Sequence, residues 1–118
     1  PWTGPAYDYL APWPGQLFGN VMWHGPTESY AAALSPLAGH PAELDALLET
    51  ALVMCKEMRA PVNDLYARIL GACGLRIRDR QGDRDRARRL VDEAVDLGDR
   101  LGAGIARAAA EHFPALRD

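Results

Sequence analysis

From Pro26 onward the apolar residues of the chain recur at helical spacing, and prolines or glycines interrupt the pattern at intervals. Apolar residues at i, i+3, i+4 and i+7 lie on one face of a helix. No segment shows the alternation of apolar and polar residues that is typical of a strand. The sequence therefore predicts an all-α fold of about five helices. The clearest series, in the second helix, comprises Leu44, Leu47, Leu48, Ala51, Leu52, Cys55 and Met58.

Prolines and glycines mark the ends of these predicted helices. Proline lacks a backbone N–H, so it is tolerated in the first turn of a helix and disrupts a helix elsewhere. We predict a hairpin over 27–59, a second hairpin over 62–101 and a terminal helix over 103–113. The links are short, so neighbouring helices should run antiparallel. Asp83 is expected as the N-cap of the fourth helix.

A repeated pattern of apolar and small residues relates the second and fourth helices at an interval of 43 residues. Hairpins that cannot bury an apolar face alone stack on one another and share a continuous core. Small residues at Ala51 and Ala94 are expected where two helices cross closely, and Gly71 and Gly74 are expected to let a neighbouring helix approach the third helix. The two matching sets are Leu44, Leu48, Ala51 and Ala87, Val91, Ala94.

Residues 1–26 differ from the rest, because they hold five of the nine prolines and six of the nine aromatic residues. A short helical turn is expected around Ala6–Ala11, and Pro12 should end it. We favour an ordered arm whose aromatic side chains pack on the first hairpin or on a preceding domain. The alternative is an aromatic platform for a ligand. The six aromatic residues are Trp2, Tyr7, Tyr9, Trp13, Phe18 and Trp23.

Composition and cysteine placement bound the class of protein. Hydrophobic residues make up 48% and charged residues 25%, which is ordinary globular composition, and a net charge of −3 gives no general reason to expect nucleic-acid binding. Cys55 and Cys73 lie on apolar stripes, so buried free thiols are favoured over a disulfide, as in a reducing, cytoplasmic compartment. A single lysine, Lys56, amid many Ala, Arg, Asp and Leu residues indicates a bacterial source.

Targeting and membrane signals are not visible in the sequence. The first twenty residues have no basic segment followed by an apolar run, and no stretch has the 18 or more apolar residues of a membrane span. The chain starts at Pro1 rather than at a methionine, so we expect a fragment of a longer protein.

Catalytic motifs are also missing from the sequence. His24, His40 and His112 show no metal-ligand spacing with each other or with the cysteines, and the chain has neither a phosphate-binding loop nor a nucleophile elbow. Acidic residues fall mainly on polar helix faces or at helix starts, where solvation and the helix dipole explain them. The prediction is a chain without enzymatic activity, cofactor or metal.

The strongest charge feature is the segment Arg76–Arg89, with seven arginines against three aspartates. We favour a solvated link whose arginines pair locally with the aspartates, since interleaved acids weaken the positive field. The alternative is a patch for a phosphate or an acidic partner. Arg84 and Arg88 share one helix face, so a small anion is the ligand that this alternative predicts.

Three segments carry a family resemblance. The run Leu37–Leu52 resembles the helical hairpin of tetratricopeptide-like repeats, and Arg80–Ala94 is similar to later repeats in the C-terminal region of large bacterial signalling ATPases and LuxR-type transcriptional regulators. Tyr9–Gly15, followed by Gly25-Pro26 at a helix start, is similar as well. Two departures are the interval of 43 residues, above the roughly 34 of the standard repeat, and Leu44 at a position where the repeat usually has a small residue.

The resemblance implies a short solenoid of stacked hairpins that acts as a sensor or docking surface beside a nucleotide-binding domain. We therefore expect a non-enzymatic module for protein interaction or regulation, whose partner is another protein or a neighbouring domain. Direct binding of nucleic acid or membrane by this segment is not expected. The alternative is a small-molecule sensor with an aromatic-lined pocket. The candidate contact residues are Trp23, Tyr30, Tyr66, Arg84 and Arg88.

Overall fold

Six α-helices and a short two-stranded hairpin form the part of the chain that this computed structural model describes, namely residues 3–12, 14–15, 17–19 and 23–118. The all-α prediction is confirmed. None of the described helices combines the length and the apolar character needed to cross a bilayer. The elements are α1 Thr3–Leu10, β1 Leu17–Gly19, β2 Trp23–Pro26, α2 Thr27–Leu34, α3 Leu44–Glu57, α4 Pro61–Arg78, α5 Asp83–Leu101, α6 Ile105–His112 and a 3₁₀ turn over Pro114–Leu116.

The N-terminal arm contains more regular structure than the sequence predicts. Its helix α1 is a full two turns, and it ends before Pro12 as expected. Strands β1 and β2 pair in antiparallel fashion, with Leu17 opposite Pro26 and Gly19 opposite Trp23. Strands of three and four residues are too short to show an alternating pattern, which is why the sequence did not indicate them.

The helices of the first hairpin are shorter than the range 27–59 allows. Helix α2 ends at Leu34, because Pro36 has no N–H for a further helical hydrogen bond. The Ser35 hydroxyl donates to the Ala32 carbonyl at 3.0 Å where the helix ends. Helix α3 begins at Leu44, three residues after Pro41. Similarly, Asp83 is the first residue of α5 and not its N-cap, a position that Gly82 takes.

Helix α4 contacts α2, α3, α5 and α6, and its most extensive contact is with α5. Helix α2 also packs on α3, and α5 on α6. The described part measures 35 × 34 × 23 Å, and its smallest dimension fits two layers of helices. Helix α4 is thus the central element.

Close helix packing at α4 depends on its two interior glycines, as predicted. A Cβ atom at Gly74 would lie 2.7 Å from the Ala32 carbonyl oxygen and 2.8 Å from a methyl group of Leu44. At Gly71 it would lie 2.5 Å from a methyl group of Leu48. Leu44, the residue that departs from the repeat pattern, is fully buried because Gly74 leaves the space that its side chain fills.

The core consists of a main cluster and a smaller one. Ala51 is fully buried in the smaller cluster, with Cys55 and Ala67, and Ala94 is fully buried in the main one. Cys55 is a buried free thiol and Cys73 a partly buried one, as expected. The main cluster of buried residues consists of Leu44, Leu65, Ala72, Leu75, Ala87, Val91, Ala94, Val95, Ala106, Ala110 and Leu116.

The N-terminal arm is attached to the first hairpin through Tyr7. Its side chain is buried, its ring stacks on His40 with centroids 4.8 Å apart, and its hydroxyl donates a hydrogen bond to Glu43. Tyr7 therefore behaves as the favoured interpretation of the arm predicts. Tyr9, by contrast, is 71% exposed. The side chains of the other four aromatic residues of the arm lie outside the described part.

Candidate functional site

The two tyrosines predicted as contact residues are neighbours in space. Tyr30 lies on α2 and is partly buried, whereas Tyr66 lies on the adjacent α4 and is 37% exposed. Burial, and secondly the nearby Tyr66, raise the pKa of the Tyr30 phenol above its ordinary value. The packing of α2 on α4 therefore brings these two predicted residues close together.

Tyr66 belongs to a row of apolar side chains along α4, which we call the α4 stripe: Val62, Tyr66, Leu70, Cys73 and Ile77. These positions recur at intervals of three or four residues and so share one helix face. Val62 is 47% exposed and Ile77 44% exposed, while Leu70 and Cys73 are partly buried. The stripe runs along most of α4 and ends next to solvent at both ends.

The other three predicted contact residues lie elsewhere. Trp23 opens strand β2, and its side chain is outside the described part of the chain. Arg84 donates to Asp79 at 2.8 Å. Arg88 donates to the backbone carbonyl of Arg117 at 2.9 Å and lies 3.9 Å from a carboxylate oxygen of Asp85. The printed contacts of Arg84 and Arg88 are thus with the α4–α5 turn, α5 itself and the C-terminal segment, and not with Tyr30 or Tyr66.

The favoured interpretation of the segment Arg76–Arg89 is local pairing of arginines with aspartates, and Arg84 and Arg88 behave in this way. The structure also has a buried cluster around Arg78. The Arg78 guanidinium is 3% exposed and donates to both oxygens of Asp83, at 2.8 Å each. It also donates to Asp45 on α3 at 2.7 Å and to the Pro41 carbonyl at 3.2 Å. This cluster joins the α4–α5 turn to the start of α3.

The Arg78 cluster sets the protonation of its two aspartates. Hydrogen bonds from Arg78 hold the pKa of Asp83 and that of Asp45 below their usual range, and the Asp83 side chain is 2% exposed. A carboxyl group whose pKa is lower in the folded than in the unfolded state stabilises the fold. This stabilisation is fully present above the unfolded-state pKa of about 3.9, and it is lost as the pH falls through the folded-state pKa.

We therefore expect the free energy of unfolding to fall as the pH decreases from about 5 to about 3, and to fall less in Asp83→Asn. Urea unfolding followed by circular dichroism at several pH values measures this difference. An equally steep decline in Asp83→Asn and in the wild-type chain would mean that other carboxylates govern the acid transition.

A groove lies between α3 and α5, on the side of α4 away from the stripe. Asp64 and Arg68 of α4 also line it, and Arg68 is turned about 200° from Tyr66 around the helix axis. Two adjoining cavities of about 910 and 530 Å³ make up the groove and share Leu52, Val53 and Glu93. We call it the α3–α5 groove.

Leucine and valine side chains of α3 and α5 form the apolar part of this groove. Val53 is 48% exposed, whereas Leu48 is buried and Leu52, Leu90 and Leu97 are partly buried. Cys55 also lines it, and burial, followed by the nearby Asp64, raises the pKa of its thiol to about 11. The thiol is therefore protonated at neutral pH and is a poor nucleophile.

Charged side chains close one end of the groove and leave the other open. At the closed end Arg86 pairs with Asp45 at 2.7 Å. In the middle Arg68 pairs with Asp64 at 2.6 Å and also with Glu93. At the open end, among the described residues, three cations make no ion pair within 4.0 Å: Lys56, Arg59 and Arg100.

In the described part of the chain, no three or more His, Cys, Asp and Glu side chains are grouped so as to hold a metal ion. Comparison of the chain with family models, with curated proteins and with solved structures gives no match. The candidate sites therefore depend on the geometry of the helices alone.

Proposed function

We propose that this chain is a non-enzymatic protein-interaction module in which stacked helical hairpins present the α4 stripe to a protein partner or a neighbouring domain. The observation that carries the proposal is the stripe itself. It places Val62, Tyr66 and Ile77 next to solvent, each 37–47% exposed, on the central helix of the fold. Leu70 and Cys73 are partly buried and continue the same helix face between Tyr66 and Ile77. An apolar patch that reaches solvent is typical of an interaction site.

The packing of the helices supports the stacked-hairpin part of the proposal. In a stack, the first helix of each hairpin contacts the first helix of the next one. Helices α2, α4 and α6 are neighbours in this order, and α3 and α5 cover one side of them. We interpret this arrangement as two hairpins, α2–α3 and α4–α5, followed by the first helix of a third unit, in a short tetratricopeptide-like solenoid.

The wider setting follows from the family resemblance of Leu37–Leu52 and Arg80–Ala94. We propose that the module is cytoplasmic and belongs to a bacterial signalling ATPase or transcriptional regulator, whose activity it modulates by docking. The competing function is a small-molecule sensor with a pocket at the aromatic arm, near Trp23.

We expect a photo-crosslinking residue at Tyr66 to capture a specific protein in the native cell, and the same residue at Arg80 not to capture it. Arg80 is exposed and lies on the α4–α5 link, past the end of α4 and about 20 Å along the chain direction of that helix from Tyr66. With the captured protein purified, Val62→Asp should weaken binding about tenfold or more, because it places a charge in the apolar contact. Fluorescence anisotropy measures this loss.

Two results would contradict the proposal. One is equal capture from Tyr66 and Arg80, together with unchanged affinity in Val62→Asp. The other is a rise in melting temperature of several degrees with one metabolite, abolished by Trp23→Ala, which would identify the sensor function instead.

A further inference from the structure

The α3–α5 groove is long enough to hold one helix. Residues 45–56 of α3 and 86–100 of α5 line its two sides, over about 17 and 21 Å. Asp45 and Arg86 join the two helices at one end, so the sides run in the same direction from there. An α-helix of about four turns has a matching length.

The groove also combines an apolar floor with an excess of cations. Its lining holds six basic side chains and five acidic ones. Three of the acids, Asp45, Asp64 and Glu93, are already paired with Arg86 or Arg68. Among the described residues, six other charged side chains of the lining have no ion pair within 4.0 Å. Four are cations and two are acids: Lys56, Arg59, Arg89 and Arg100, and Glu49 and Asp96.

Three of these four cations meet at the open end. Lys56 and Arg100 stand in the last turns of α3 and α5, where a cation also complements the helix dipole. Arg59 follows α3 with a φ of 52°. Asp96 lines the same cavity without an ion pair within 4.0 Å, so the described unpaired side chains leave an excess of two positive charges there, which carboxylates on a partner complement.

We propose that the α3–α5 groove binds an amphipathic helix of another protein, with its apolar side on Val53 and the leucines of the floor. The bound helix carries two or more carboxylates at the end that meets Lys56, Arg59 and Arg100. Nucleic acid is disfavoured, because the floor is apolar and five acids interrupt the basic side chains. This site is separate from the α4 stripe, so it stands or fails independently of the proposed function.

The test is a selection from a displayed library of helices of about four turns. Leucines at i, i+3, i+4 and i+7 are kept constant, and the flanking positions vary among Glu, Lys and Ala. The immobilised bait is the complete 118-residue chain. We expect enriched helices to carry glutamates at one end and to bind more weakly as the salt concentration rises.

Two substitutions with matched controls then locate the binding site. Val53→Asp should abolish binding of the enriched helices, whereas Leu37→Asp, at a residue 56% exposed outside the groove, should leave it unchanged. Arg100→Glu should weaken binding about fivefold at low salt, and Arg80→Glu should have no such effect. All four positions are exposed, and circular dichroism verifies that each variant folds.

Each other outcome overturns the inference. These outcomes are the failure to enrich any helix relative to the Val53→Asp chain, enriched helices without an acidic end, and binding that Val53→Asp does not reduce. A dimer of the chain that Val53→Asp dissociates, measured by light scattering, would make a second copy the occupant. Selective binding of an RNA oligonucleotide in the groove would make nucleic acid the occupant.

Discussion

Asp83→Ala is expected to reduce the free energy of unfolding by about 3–5 kcal/mol, because it leaves the Arg78 guanidinium as a buried charge without its principal partner. The two side chains are 2% and 3% exposed and share two hydrogen bonds of 2.8 Å. Asp83 also accepts a hydrogen bond from the Arg80 backbone N–H at 3.0 Å, which shapes the α4–α5 turn. Urea unfolding followed by circular dichroism measures the loss.

Asp79→Ala is the matched control for this prediction. Asp79 pairs with Arg84 in the same turn at 2.8 Å, but both side chains are at least half exposed, so water solvates each charge when the other is removed. We expect little change in stability. Comparable losses in Asp83→Ala and Asp79→Ala would mean that the turn, and not the buried charge, carries the effect.

Gly74→Ala is expected to destabilise the fold by about 1–3 kcal/mol, although alanine is the better helix former. The added methyl group would lie 2.7 Å from the Ala32 carbonyl oxygen. That oxygen belongs to the backbone of α2, so α2 must move away from α4 to make room. Thermal or urea unfolding measures the change.

Gly71→Ala, one turn earlier in the same helix, is the control. Its methyl group would meet only the side-chain methyl groups of Leu48, which can rotate away. The cost should be smaller, since the gain in helix propensity of up to about 1 kcal/mol offsets part of it. A larger loss in Gly71→Ala than in Gly74→Ala would show that Leu48, and not the α2 backbone, limits the packing.

The long helices were predictable because their apolar periodicity extends over several turns. Helices α3, α4 and α5 lie where the stripes of Leu44, Leu65 and Val91 place them. The short elements were not predictable in the same way. The β1–β2 hairpin has too few residues for a pattern, and the end of α2 depends on one proline.

The candidate site was predictable only in part. Placing Tyr30 and Tyr66 on the first helices of two hairpins follows from periodicity, and their proximity follows from the way α2 packs on α4. The α3–α5 groove had no signal in the sequence. Its cations Lys56, Arg59 and Arg100 belong to two different helices, and each alone is an ordinary surface residue.

The sequence by itself determined which segments are helical and which face of each helix is apolar, since these properties depend on neighbours within a few residues. Only the tertiary structure decided that Leu44 fills the space at Gly74 and that Arg78 reaches Asp45 across a separation of 33 residues. Both contacts join helices whose relative position depends on how all the side chains between them pack. A stripe of apolar residues determines which face of a helix is buried, but it does not determine which side chain of the next helix fills the space against it.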